Sequence, residues 1–251
     1  MRDSGRKIGK ILLPAAFWLL VWTLAAHLVG RELILPAPLA VGRALIALAR
    51  TGAFWTGLGV TMARVCGGFL LGALLGAALG GLTAAFKWCD LLLSPALRAV
   101  RTVPVVAFIL LLYFTLPNGY TPVAVSALMA LPVMWRSTRQ GLAAAQPQLL
   151  ELCGAYRLGP WRSFRLVRLS ALLPSLAAGG ETALGLAWKS ALAAEVLCQP
   201  KWAAGTGLQA AKSPLDTAGV AAWTVAVVAL SLAMEALFHM ALRRWRGGED
   251  L

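Results

Sequence analysis

The chain has 251 residues, 59% of them hydrophobic, with a mean hydropathy of +0.75 and only 13% charged residues. Ordinary soluble domains carry roughly 25% charged residues, so lipid has to solvate most of this surface, and a freely soluble enzyme is excluded. A net charge of +13 would point to nucleic acid in a soluble protein, but here the basic residues gather between the apolar runs, where they report topology.

The expected fold is all-α, a polytopic membrane helix bundle of about six spans of ~20 residues. It forms a single membrane domain over residues 1–251, with its core at about 55–242 and no soluble appendage. Met1 to Lys10 is basic and is followed at once by the apolar run Ile11 to Gly30, about 30 Å long as a helix. That run exceeds a signal-peptide core and ends without a clear A-x-A site, which predicts an uncleaved first span. Leu35-Pro36-Ala37-Pro38 stops and restarts the helix, and Leu39 to Ala49 reads as an interfacial amphipathic helix. The second span runs from about Trp55 to Phe86 and ends at Lys87-Trp88-Cys89-Asp90.

A third apolar segment starts near Leu91, meets Pro95 and Pro104, and reaches Leu116, with its early part along the membrane surface; Pro117-Asn118-Gly119 then forces a turn. The fourth span is Thr121 to about Trp135, and the longest polar interval, Arg136 to Arg168, follows it. The fifth span is about Ser170 to Cys198 and the sixth about Ala218 to Leu242. The N-terminus, the 87–101 loop, the 136–168 interval and the tail hold 16 of the 23 Lys and Arg residues, which places all four, and both termini, in the cytoplasm.

Gly68, Gly72, Gly76 and Gly80 recur every fourth residue and lay a bare strip along one helix face, suited to close helix packing. Ionisable residues inside spans are costly and face protein or water, which singles out Arg64, Glu181, Lys189, Glu195 and Glu235. Glu181 and Lys189 are roughly 12 Å apart along a helix and cannot pair. Arg64 and Glu195 lie in the outer parts of their spans, where a pair is geometrically possible, as a structural tie or as part of a substrate path. Glu235 and His239 are one turn apart and are expected to share a local hydrogen bond. Cys66, Cys89, Cys153 and Cys198 are scattered, with no C-x-x-C pair and only two histidines in the chain, so no metal site is expected and the thiols are expected to be buried and inert.

Within the 136–168 interval, Gln146 to Tyr156 fits a short helix with Pro147 in its first turn. Gly159-Pro160 breaks it before a second, basic helix at Trp161 to Leu169. Two readings stand: a docking element for another protein, or a solvated loop that only satisfies the charge rule.

Leu35-Pro36-Ala37-Pro38-Leu39-Ala40-Val41 resembles the L-P-S-P-x-x-V opening of the permease subunits of bacterial ABC importers, in the nitrate, sulfonate, taurine and bicarbonate branch. The resemblance covers roughly four fifths of the chain. The E-A-A-x-x-x-G motif of these permeases has its counterpart in Glu151 to Arg157, where Leu152 and Cys153 replace the alanines and Arg157 the glycine. Leu169-Ser170 stands where Leu-Pro is expected, while Leu173-Pro174 keeps a proline. Val103-Pro104 with Ala107 fits the branch, and Phe114-Thr115 departs from its Phe-Gly.

The resemblance implies a type I ABC importer permease fold, a divergent member in the bacterial inner membrane. It implies a coupling segment (Glu151, Leu152, Cys153, Gly154, Ala155, Tyr156, Arg157, Leu158, Gly159) seated on a cytoplasmic ATPase dimer, an external solute-binding protein, and a second permease copy in a homodimer. A homodimer would set two copies of the fifth span around one path, with Trp188, Lys189 and Glu195 as lining candidates beside Glu181 and Arg64. Lys189 suits an anionic solute such as a sulfonate or nitrate-like ion, and a vitamin precursor is the other class in view. ATP and Mg belong to the partner, so no cofactor is expected in this chain, which lacks a G-x-x-x-x-G-K-[ST] loop; Gly185 to Ser190 has the wrong spacing. The alternative is an ion- or proton-coupled carrier titrating Glu181, Lys189 and Glu235, although no inverted repeat is visible. A membrane enzyme is disfavoured, since HExxH, G-x-S-x-G and a close carboxylate pair are all missing.

Overall fold

The computed structural model describes residues 2–212 and 215–246. Among them the chain is helical throughout, in this order: α1 (Arg2–Val29), α2 (Pro38–Ala49), α3 (Gly52–Ala85), α4 (Lys87–Thr102), α5 (Val105–Thr115), α6 (Thr121–Ala143), α7 (Pro147–Ala155), α8 (Pro160–Ser163), α9 (Ser170–Cys198), α10 (Ala204–Lys212) and α11 (Thr217–Arg246). A π-helical stretch, Phe164–Leu169, joins α8 to α9 without a break.

α3 and α11 are each long and apolar enough to cross a bilayer unaided, and α4 and α5 qualify only as a pair, bent by 104°. α1, α6 and α9 supply three more long helices, of 28, 23 and 29 residues. α3, with 34 residues, is about 50 Å long and outreaches a hydrocarbon core of ~30 Å.

α6 is the central helix, held between α3 and α9. The bare strip on α3 explains the first contact. Gly68, Gly72, Gly76 and Gly80 are all buried against α6, and a Cβ added at Gly76 would sit 2.8 Å from Met134 Cβ, one at Gly80 2.6 Å from Thr138 Cβ. No side chain fits, so the two backbones approach directly, and dispersion over that length replaces the hydrophobic drive that lipid cannot supply. Trp135 Nε1 closes the end of the contact by donating to Thr83 Oγ1 at 2.9 Å. On the other side of α6, Gly141 packs on Leu172 and Gly179 of α9 packs on Ser137. Phe54, Val65, Phe69, Trp188 and Trp223 fill the main core between α3, α9 and α11.

Two expectations are corrected and one is made specific. The fourth span does not stop at Trp135: α6 continues to Ala143, because Arg139 finds a carboxylate partner and Gly141 a packing partner. The third segment, whose early part is expected along the membrane surface, is bent by 104° at a definite point. Val103 is extended and Pro104 has no N–H, so the helix breaks there, leaving an α5 of 11 residues. The basic helix at Trp161–Leu169 is not separate either, since α8, the π stretch and α9 form one continuous run from Pro160 to Cys198.

Candidate coupling hairpin and far-end ion pair

α6, α7 and the α8–α9 run form a helical hairpin at one end of the bundle. Pro147 opens α7, where its missing N–H is no loss. The exit from α7 has the six-to-one pattern of a glycine-terminated helix: Leu158 N donates to Cys153 O at 2.9 Å and Arg157 N to Gly154 O at 3.0 Å. The residue that must take the left-handed conformation in this motif is Arg157, with φ +50°. The motif glycine that Arg157 replaces is therefore a backbone requirement, and this chain meets it with a strained arginine.

Cys153 is buried, while Glu151, Gly154, Ala155, Tyr156 and Arg157 are exposed. Leu152 is 52%, Tyr156 73% and Trp161 73% exposed, so the hairpin tip presents large apolar side chains outward. Trp161 stacks on Phe164. Beneath the hairpin, Arg139 holds Asp90 of α4 in a two-pronged ion pair that Ser94 joins. The Arg139 guanidinium, and then the Ser94 hydroxyl, hold the Asp90 carboxyl below the usual carboxylate range.

At the opposite end, Glu195 of α9 is fully enclosed. Oε1 accepts from Arg64 Nη1 at 3.0 Å, and Oε2 accepts from Thr61 Oγ1 at 2.8 Å and from Gly205 N at 3.2 Å. Arg64 also donates to the carbonyls of Lys201 and Trp202. Gln199 and Trp202, at φ +47° and +54°, turn the chain so that those carbonyls and the Gly205 N–H converge. Gly205 admits the carboxylate because a Cβ there would lie 2.5 Å from Glu195 Cβ.

Of the expected path residues, Trp188 and Glu195 are buried within the chain, Glu195 enclosed and Trp188 lining a small cleft of about 260 Å³. Lys189 is exposed beside Leu192 and Leu208. The Gly185–Ser190 lookalike is plain α9 helix. His239 is not bonded to Glu235: its Nδ1 lies 3.3 Å from Glu181 Oε1, because the α9–α11 packing offers a nearer carboxylate than the helix's own preceding turn. Of the four free cysteines, Cys153 and Cys198 are buried but Cys66 and Cys89 only partly. Gly205, Thr61 and the carbonyls of Lys201 and Trp202 carry no sequence signal of their own; only the unmatched pair of intramembrane charges pointed to this end.

Residues 68–247 match the family described as binding-protein-dependent transport system inner membrane component. The chain belongs to that family. A relative from Bacillus subtilis strain 168 named for aliphatic sulfonate transport, SsuC, is 30% identical over 74% of this permease and 68% of its own length. The riboflavin transport system permease protein RibX of Chloroflexus aurantiacus is 29% identical over 94% of this chain and 88% of its own. An amino acid ABC transporter crystallised with histidines shares the fold, with a TM-score of 0.60 at 18% identity, covering 80% of this chain and 96% of that one. The protein is thus a permease subunit of an ABC importer, and a gradient-driven carrier has no support.

Proposed function

We propose that the α7 hairpin is the seat of a cytoplasmic ATPase dimer, and that α9 carries the resulting motion to the far end of the membrane. The carrying observation is the continuous run from Pro160 to Cys198, which starts at the exposed hairpin tip and ends at the enclosed Glu195 pair. At 1.5 Å per residue it is about 58 Å long. A rod of that length, pulled at Trp161 in its first turn, shifts as a rigid body, and interfaces of packed helices respond by switching between discrete arrangements. The hydrolysis of ATP belongs to the partner, the permease itself performing no chemistry, and a solute-binding protein delivers cargo at the Arg64–Glu195 end.

Both termini then lie in the cytoplasm of a bacterial inner-membrane protein, the solute path forms between two copies of the chain, and Lys189 and Glu181, both exposed on α9, remain its candidates on this helix. The cargo is a small molecule of the sulfonate, inorganic anion or vitamin-precursor type that the relatives' names span. Replacing Glu151 by Lys and Tyr156 by Asp in the full chain tests the seat: the ATPase is expected to be lost on co-purification, and unaltered association with unaltered transport would overturn it.

A further inference from the structure

A cleft of about 610 Å³ lies under the α4–α5 elbow, against the paired faces of α6 and α9. Its volume is that of a small-molecule site. Arg101 at the end of α4 and Arg136 of α6 line it together with Gln140 and Ser175, and no Asp or Glu does. Towards the middle of the bundle the lining turns apolar, with Val133 and Leu186.

Two arginines are neutralised within the protein, Arg64 by Glu195 and Arg139 by Asp90; Arg101 and Arg136 are among those that are not. Arg139, three residues further along the same helix as Arg136, borders a different cleft, where it meets its carboxylate. Among the described residues, Arg101 and Arg136 donate to no carboxylate, hydroxyl or carbonyl. Positive charge at a loop satisfies the topology rule anywhere along that loop. It does not require two guanidinium groups from different helices to border one cavity, with Arg136 about 10 Å inside the end of α6. Arg101 and Arg136 are both exposed at the cleft, and two cations without a carboxylate partner bordering one cavity attract an anion and supply forked donors for an oxyanion.

The geometry points to an anion station in this cleft, in which Arg101 and Arg136 bind the oxyanion head of a small solute and the apolar end beside Val133 and Leu186 takes a short hydrocarbon tail. The inference rests on the permease reading for its place on a transport path, and it replaces Trp188 and Glu195 with residues on a different face. The same head-group chemistry could be offered by an anionic lipid, so the test separates the two sources.

The full chain is reconstituted in zwitterionic phosphatidylcholine nanodiscs, and butane-1-sulfonate is titrated calorimetrically, with butyltrimethylammonium and butanol as controls of equal tail length. Saturable, salt-sensitive binding of the sulfonate alone is expected, weakened about tenfold or more by Arg136→Gln or Arg101→Gln. Arg136→Lys should retain most of it, a rescue that a merely structural role would not give. Equal binding of the cationic probe, or sulfonate binding unchanged in both Gln variants, overturns the station. Loss of sulfonate binding when phosphatidylglycerol is added to the discs assigns the cleft to a lipid head group and overturns it as a solute site. The ATPase seat is read separately, by co-purification with the chain carrying Glu151→Lys and Tyr156→Asp. Arginine-independent sulfonate binding with ATPase lost from that hairpin variant refutes only the cleft, and arginine-dependent binding with ATPase association and transport unaltered in the hairpin variant refutes only the seat.

Discussion

Arg157 occupies a left-handed position that a residue with a Cβ enters at a cost of roughly 1–2 kcal/mol. The two hydrogen bonds closing α7 hold it there, so the strain is stored at the hairpin tip. Arg157→Gly is therefore expected to stabilise the permease by about 1 kcal/mol, read as a higher melting temperature in detergent, with ATPase association retained. A lower melting temperature would show that the arginine side chain makes a contact worth more than the strain. At Glu195 the balance has the other sign. Glu195→Ala leaves Arg64 without its carboxylate and frees Thr61 and the Gly205 N–H, and a loss of about 3–5 kcal/mol is expected in denaturant titrations. Substituting both Arg64 and Glu195 by Met should recover much of that, since it removes the stranded charge as well.

Among the elements, the α3–α6 contact depends on absent side chains. Gly76→Leu has nowhere to place its branch and should destabilise by at least about 1–3 kcal/mol, whereas Gly81→Leu, next to the strip but facing open space, should stay within about 0.5 kcal/mol. Equal melting temperatures for the two would mean that the strip is not the packing surface. This strip was legible in the sequence because a period of four survives any detail of packing. So were the start of α7 at Pro147 and the possibility of the Arg64–Glu195 pair. The elbow at Val103-Pro104 was marked by its proline, but the 104° turn depends on α5 finding α6 and α9, which no local signal encodes. The end of α6 was misplaced because Arg136 and Arg139 look like loop charges until Asp90, 49 residues earlier, is brought beside one of them. His239 was matched to Glu235 for the same reason: spacing along one helix is visible in a sequence, and the approach of Glu181 from another helix is not.

Over the whole molecule, two fixed points are joined by one rod. The hairpin tip is exposed and apolar, the far end is locked by an enclosed carboxylate, and α9 with its π-helical entry spans the distance between them. On the proposed reading, a shift at Trp161 would reach the Arg64–Glu195 end through helix alone, and one at Tyr156 through the short hydrogen-bonded turn Arg157–Gly159. That arrangement has value only if the tip is gripped by something that moves. The most direct measurement is site-specific photocrosslinking from position 156 in intact cells, with a photoreactive residue replacing Tyr156. The predicted result is a single crosslinked product containing the cytoplasmic ATP-hydrolysing subunit, and labelling of position 156 by a membrane-impermeant reagent added outside the cell would contradict it.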